Sequence, residues 1–521
     1  MSRIAAFPRI GPILALTLLA TPIASAAARS TTVAPDPRFS EVRELILDQV
    51  RSRTVPSIAV AVAEDGRIIW EEAYGWADIE GQIQATPHTM YRLGSITKTI
   101  TATGLMLLVE EGRVDLDRPV TDYLPADVRL RTFEGAPEDI TVRSILNHRA
   151  GLPAYAESFY ADEPEGLRPF AETVRRYGIV AYPPGWSFVY CNLGYQLVGR
   201  MMAEVSGQRY ADFIERRVFA PLGMNESRVS DGLPFNRPYA ANYTPAGDRI
   251  PSYLDGYPGS DGNCASAHDL IRFAMFHLGD GLPEQEPILT ERSIRAMQAP
   301  EPPSNTSYGI GWSLDADERG FQSVYHGGEG PGVDAFMRLF PAEDVAAVIL
   351  CNAECEKLYD IQKAIFNALI PELAEPEPAE EGSDEETADG SPAQPTGMYG
   401  TWAGRITAYD RELVVELVVD ATGAGMTVGD QQSDEMEVWV LSPTFLLGMF
   451  DARIPTPDNE RHPYRNRLAV VRDGDRLYGA VISVGAWESR AGHYEYPAQV
   501  ELRRVAERSR RRSDRPGTKK K

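Results

Sequence analysis

The string Tyr91-Arg92-Leu93-Gly94-Ser95-Ile96-Thr97-Lys98 places a serine three residues before a lysine. On a helix that spacing puts both side chains on one face. A serine hydroxyl is a poor nucleophile until a base takes its proton. Lys98, held in an apolar setting, loses its own proton more easily and can be that base. Ser95 at a helix start would also lie among free backbone N–H groups, which favour a developing oxyanion. The chemistry on offer is acyl transfer through an ester on Ser95. A serine and a lysine at this spacing also describe a capping residue followed by a surface cation. Context favours chemistry: the pair follows a glycine, opens a strongly apolar helix and comes just after a hairpin.

Two further strings extend the set. Pro183-Pro184-Gly185-Trp186-Ser187-Phe188-Val189-Tyr190-Cys191-Asn192 contains Tyr190 and Asn192 two apart. A tyrosine hydroxyl near a lysine ammonium is expected to ionise below its usual pKa of about 10 and to relay protons. The Asn192 amide can bond a substrate carbonyl or orient Lys98. Tyr325-His326-Gly327-Gly328-Glu329-Gly330 is expected to end a strand, and its glycines let a substrate approach the backbone. The N–H of Glu329 is the candidate to complete an oxyanion hole with that of Ser95.

These residues need elements to hold them. A helix is expected over Pro35–Arg53, where Phe39, Val42, Leu45, Ile46 and Val50 recur at helical spacing. Ser57–Val62 and Ile68–Glu72 flank an Asp65-Gly66 turn and read as a hairpin. The Ser95 helix runs to Glu111 and stops at Gly112. Helices follow at Leu193–Glu204, Ala211–Phe219 and Ala267–Leu278, then strands at Phe321–Tyr325, Val333–Phe340 and Val345–Cys351, and a closing helix over Glu356–Ile370. Strands at both ends with helices between predict one antiparallel sheet flanked by helices, with an inserted helical region, an α/β arrangement of the α+β type.

Between Glu375 and Asp389 stand eight acidic residues and no basic one, a composition that cannot offset its ordering entropy. The segment 374–396 is read as a linker, dividing a catalytic unit over 27–373 from a second unit over 397–505. In that second unit strands are expected at Arg411–Val419, Met436–Leu441, Phe445–Phe450, Arg467–Val471, Leu477–Val484 and Val500–Val505. Their spacing suggests a small antiparallel barrel or sandwich. It either caps the active site or only packs beside the catalytic unit. Residues 506–521 are expected to form a basic, disordered tail.

At the other end, Arg3 and Arg9, the apolar run Ile13–Ala20 and Ala24-Ser25-Ala26 read as a signal peptide over 1–26. A periplasmic or secreted protein with no integral span is expected once it is removed. The net charge of −23 argues against nucleic acid as a partner, because phosphate binding needs a basic surface. Seven scattered histidines, none in an H-E-x-x-H pattern, point to no metal. Of the four cysteines, Cys351 and Cys355 are the candidates to pair.

Taken together, the strings resemble the serine β-lactamase-related hydrolases: class C β-lactamases, D-alanyl-D-alanine carboxypeptidases and β-lactamase-like esterases. The similar stretches cover most of Val55–Asn352: Val55–Val62, Arg92–Lys98, Leu146-Asn147-His148-Arg149-Ala150-Gly151-Leu152-Pro153, Tyr182–Gly194, Pro221–Met224, Ala267–Leu270 and His326–Gly332. The resemblance implies a β-lactamase/transpeptidase-like fold and acyl-enzyme chemistry without a cofactor. Carried over, Ser95 is the nucleophile, Lys98 and Tyr190 are acid–base partners, His326 opens the third motif, and Asn192, Gly327, Gly328 and Glu329 meet the substrate. One departure matters. Class C enzymes carry Lys-Thr-Gly where this chain has His326-Gly327-Gly328, and neutral histidine binds a carboxylate less well than lysine. The expected substrate is therefore a small molecule or peptide with an ester or D-amino-acid amide bond. A β-lactamase proper, or a non-catalytic protein binding peptide or envelope polymer, is the alternative.

Overall fold

A computed structural model of the protein describes residues 29–31, 36–161, 167–230, 239–279, 281–300, 307–317, 319–374, 397–461, 463–485 and 494–505. The expected signal peptide, the expected linker 374–396 beyond its first residue, and the tail lie outside the described residues.

The N-terminal unit is built on one antiparallel sheet. Its strands are β1 (Arg29–Thr31), β2 (Ser57–Glu64), β3 (Arg67–Asp78), β4 (Ser313–Ala316), β5 (Gln322–Gly330), β6 (Val333–Phe340) and β7 (Val345–Cys351). They lie in the order β1-β3-β2-β7-β6-β5-β4, with Ile83–Gln84 added outside β3. First and last segments of the unit thus pair at the centre, Val60 opposite Ile349. The β2–β3 turn at Asp65 and Gly66 has both residues at positive φ, as a two-residue hairpin requires.

Both faces of the sheet are covered, so β2 is buried along nearly all its length. Ile58, Val60 and Val62 pack toward α1 (Ser40–Arg51) and the C-terminal helix Leu358–Leu369. Ala59, Ala61 and Ala63 face the other core, which also holds α2 (Thr97–Glu110). Small residues there let the helix Ala267–Leu278 lie close against the sheet.

The helical region between β3 and β4 contains α3 (Val142–Leu146), α4 (Phe170–Tyr177), α5 (Asn192–Ser206), α6 (Tyr210–Ile214), α7 (Ala267–Leu278) and α8 (Glu291–Met297), and α9 (Leu358–Leu369) closes the unit. The helix expected over Ala211–Phe219 ends at Ile214 and continues as a π-helical turn, Glu215–Phe219. The strand expected to stop at Tyr325 runs on to Gly330, so the whole His326–Gly330 string sits inside the sheet.

The C-terminal unit settles the choice between barrel and sandwich. Strands β8 (Gly400–Thr407), β9 (Glu412–Asp420), β10 (Gly423–Val428), β11 (Gln431–Leu441), β12 (Phe445–Phe450), β13 (Tyr464–Asp473), β14 (Arg476–Gly485) and β15 (Glu495–Arg504) each pair with the next, and β8 also pairs with β15. Closure removes the exposed edges. Alternation places Val415, Leu417 and Val419 inside. Six strands were expected and eight form: β8 and β10 each carry two glycines, which have a weak preference for strand.

The barrel is joined to the N-terminal unit by a buried polar seam. Asp458 accepts from Arg168 (2.9 Å), Arg176 (2.7 Å) and the Tyr177 hydroxyl. Glu157 accepts from Arg168 (2.5 Å), Tyr155 (3.0 Å) and Tyr496 (2.8 Å). Ala156 and Glu495 exchange backbone hydrogen bonds across the same seam. All four cysteines are buried and free; Cys351 lies beside Cys355, but the expected disulfide is not formed. No helix among the described residues is long and apolar enough to cross a membrane.

Candidate active site

Ser95 sits in a single 3-10 turn, Gly94–Ile96, that leads straight into α2. The helix proper therefore begins two residues later than its apolar run suggests. Gly94 makes the turn possible. Its φ is +50°, and a Cβ there would lie 2.9 Å from the Glu329 nitrogen. From the facing strand, a Cβ on Gly328 would lie 1.9 Å from the Leu93 carbonyl oxygen. The turn and β5 thus touch backbone to backbone. That contact brings the N–H groups of Ser95 and Glu329 to the same small region.

Lys98 is fully buried one turn further on. Its Nζ donates to Ser95 Oγ at 2.8 Å and to the Ser260 carbonyl at 3.2 Å. Burial pushes its pKa below the usual lysine value, and Asp261 opposes that shift.

Asp261 is a residue that the sequence reading missed. The Ser95 hydroxyl donates to its Oδ1 at 3.1 Å, and Lys98 Nζ is 3.6 Å away. It arrives through a short strand, Asn263–Ala265, that pairs with Tyr91–Arg92 just before Ser95. Leu93 N–H to the Asn263 carbonyl (3.0 Å) and Asn263 N–H to Thr97 Oγ1 (3.0 Å) fix the register. Nothing local in Ser260-Asp261-Gly262 signals this placement.

Tyr190 is brought to the same centre. Lys98 Nζ lies 4.9 Å from its ring centroid, and the Ser95 hydroxyl interacts with its own. The expectation that it ionises readily is reversed. Burial, with Asp261 adding to it, pushes its pKa well above the usual tyrosine value, so it stands as a neutral hydroxyl. Asn192 opens α5, and its Oδ1 is buried without a hydrogen-bond partner. Lys98 donates to Ser95 and the Ser260 carbonyl instead, so the hydrogen bond expected from Lys98 to Asn192 is not made.

His326 lies within β5 with both ring nitrogens engaged: Nε2 with the Tyr308 hydroxyl at 2.9 Å and Nδ1 with the Gly327 carbonyl at 2.6 Å. Burial first, then Lys98, lowers its pKa to about 4, so it is neutral near pH 7. His148, in the Leu146–Pro153 string, was given no site role. Its ring packs 4.3 Å from that of Tyr190 and 4.8 Å from that of Tyr308, and its Nδ1 accepts from the Cys191 N–H at 3.2 Å. Burial holds it neutral as well.

The barrel reaches the segment that ends in Tyr190. Tyr182 donates to the Ala469 carbonyl of β13 at 3.0 Å, and Trp186 packs 6.0 Å from Phe445 of β12. It contributes to that segment's support while making none of the hydrogen bonds to Ser95 or Lys98 described above. Among the described residues no group of histidine, cysteine, aspartate or glutamate is placed to hold a metal.

A serine hydroxyl in contact with a buried lysine, beside a glycine-lined strand, is an arrangement for acyl transfer. Residues 42–370 match the family described as Beta-lactamase. The chain belongs to that family. Its members are serine hydrolases related to penicillin-binding proteins. This Beta-lactamase-family chain is 28% identical over 339 residues to Penicillin-binding protein 4* of Bacillus subtilis (strain 168), which covers 59% of this chain and 70% of that protein. It is 24% identical over 325 residues to Protein flp of Staphylococcus aureus (strain N315), covering 61% of this chain and 63%, less than two thirds, of the relative. Among solved structures, SurE shares the fold with a TM-score of 0.60 at 22% identity, over 88% of this chain and 99% of that one.

Proposed function

We propose that the protein is an exported serine hydrolase that cleaves ester or D-amino-acid amide bonds through an acyl-enzyme on Ser95. The observation that carries this reading is the 2.8 Å contact between Ser95 Oγ and the Nζ of a fully buried Lys98. In its neutral form Lys98 takes the Ser95 proton as Oγ attacks the acyl carbon. Tyr190 is a poor base here because its ionised form is disfavoured, and it acts instead as a hydroxyl that passes a proton toward the leaving group. The N–H groups of Ser95 and Glu329 receive the oxyanion. Gly327, Gly328 and the Asn192 amide line the substrate's path, and His326 shapes that path as a neutral ring held by Tyr308.

Three observations support a substrate other than a β-lactam. His326 is neutral, its nitrogens are used within the protein, and a carboxylate stands beside the nucleophile. SurE has been solved with D-Leu, which fits a D-amino-acid acyl group. Export rests on the N-terminal segment 1–26. The division into a catalytic unit to 373, a linker to 396 and a barrel to 505 is part of the same proposal.

The test compares wild type with Ser95→Ala on a short-chain aryl ester, a D-alanyl-D-alanine peptide and a chromogenic cephalosporin. Turnover of the ester or peptide should fall by several orders of magnitude, toward the ~10⁶-fold recorded for another serine enzyme. Turnover retained in Ser95→Ala would refute the assignment. Rapid Ser95-dependent cephalosporin hydrolysis would make the protein a β-lactamase instead. Binding of a peptide or envelope polymer without labelling by a reactive-serine probe would favour the non-catalytic alternative.

A further inference from the structure

A carboxylate stands directly against the Ser95 hydroxyl. Asp261 uses Oδ1 for both Ser95 and Lys98, and its Oδ2 makes no hydrogen bond to the described residues. The side chain is 11% exposed, whereas Lys98 is 0% exposed. The charge of Asp261 is felt by Tyr190 and His326 as well.

Two consequences follow for a substrate. A carboxylate near the scissile bond would meet Asp261 and gain little from the two basic groups described at this site, because Lys98 is enclosed by Ser95, the Ser260 carbonyl and Asp261, and His326 is neutral. An ammonium would meet a complementary charge with a free oxygen. The lengths agree with an α-ammonium. The amino nitrogen and carbonyl carbon of one residue are about 2.5 Å apart across two bonds. A carbonyl carbon poised for attack lies roughly 3–3.5 Å from the nucleophile. Asp261 is 3.1 Å from that same nucleophile. A charge-assisted hydrogen bond of about 2.7–2.9 Å closes the figure.

We propose that Asp261 selects acyl donors with a free α-ammonium beside the scissile carbonyl, so that the preferred substrates are amides or esters of amino acids and peptides with unblocked N-termini. This rests on the acyl-Ser95 reading above. Ser95 Oγ bonds to the carbonyl carbon while its proton passes to Lys98. The tetrahedral oxyanion collapses, the C–N or C–O bond breaks, and the leaving amine or alkoxide takes a proton. Water then cleaves the Ser95 ester, releasing the free acid and restoring the hydroxyl. A substrate ammonium on Asp261 also shares the carboxylate that otherwise supports the charge of Lys98. Binding therefore favours the neutral lysine that the first step needs.

The experiment uses the full-length mature chain and paired chromogenic anilides of D- and L-alanine, free and N-acetylated, with wild type, Asp261→Asn and Ser95→Ala. Wild type should favour the free amine in kcat/KM by roughly 10- to 150-fold, the range for a hydrogen bond to a charged group. Asp261→Asn should collapse that ratio toward one. A wild-type preference for the acetylated substrate would overturn the proposal. So would an equal loss on both substrates in Asp261→Asn, which would make Asp261 a positioning residue for Ser95 and Lys98. A measurement on wild type alone guards against a misfolded variant. Alaninamide should inhibit ester hydrolysis at least 10-fold better than N-acetylalaninamide, and equal inhibition would count against the proposal. Ser95→Ala that keeps its activity would overturn the acyl-Ser95 reading itself, whatever the ratio.

Discussion

Gly327 and Gly328 are adjacent, both lie in β5, and nothing in the sequence separates their roles. Their surroundings differ sharply. A methyl group added at Gly327 would meet its nearest neighbour, the Ala335 carbonyl oxygen, at 3.8 Å, an ordinary contact. One added at Gly328 would meet the Leu93 carbonyl oxygen at 1.9 Å. Both atoms at that second contact are anchored backbone: β5 is paired with β6 through Gly328 opposite Ala335, and Leu93 is bonded to Asn263. To accept alanine, strand and turn must part by at least about 1 Å, enough to cost on the order of 10²-fold in a positioned reaction. Separating the two N–H donors of an oxyanion hole costs about 10²–10³-fold by itself. Gly328→Ala is therefore expected to lower kcat on an aryl ester by at least ~10²-fold, with Gly327→Ala within a few-fold of wild type. Thermal melts of both variants should accompany the kinetics, since Gly328→Ala can also loosen the sheet. The reasoning is refuted if the two variants have the same kcat while both are folded. That result would mean that the Ser95 turn does not depend on close contact with β5.

Two other outcomes follow from buried charges. His326, with its pKa lowered to about 4 from an unfolded value near 6.5, binds a proton less readily folded than unfolded. It therefore costs stability progressively as pH falls from about 6.5 to 4, by up to about 3 kcal/mol, and nothing above that window. His326→Gln should flatten the dependence of melting temperature on pH across that window, and an unchanged slope would show that the ring is not held neutral. At the barrel seam, Asp458→Ala leaves Arg168, Arg176 and Tyr177 without their shared acceptor and should cost about 3–5 kcal/mol, read from chemical unfolding. Glu412→Ala, which removes only the exposed partner of Arg405, should cost less than about 1 kcal/mol in the same assay. Equal losses in the two variants would refute the seam as a structural joint.

The barrel's position gives the Asp458 variant a second use. The Tyr182–Tyr190 segment runs from the seam to the reacting centre, with Tyr182 and Trp186 against the barrel and Tyr190 against Lys98. A weakened seam is thus expected to reach Tyr190 through one continuous stretch of chain.

Local pattern made much of this protein legible. Ser95 and Lys98 lie three apart on one helical turn, so their contact follows from helix geometry alone. The Asp65-Gly66 hairpin, α7 and the strands Val333–Phe340 and Val345–Cys351 were readable because each carries its own turn chemistry or apolar period. Other features depended on contacts between distant segments. Asp261 reaches Ser95 across 166 positions, through a strand pair of two residues that has no period of its own. The titration of Tyr190 and His326 was decided by desolvation, and the burial that causes it is a property of the packed interior. The barrel's two unexpected strands form because closing the ring satisfies their backbone, which offsets their weak individual preference for strand. The residue types and near-neighbour spacing carry Ser95 and Lys98, the proposed nucleophile and base. Which carboxylate stands beside them, which glycine lies in backbone contact with the Ser95 turn and which rings stay neutral are set by non-local contacts, and those exist only once the chain has folded.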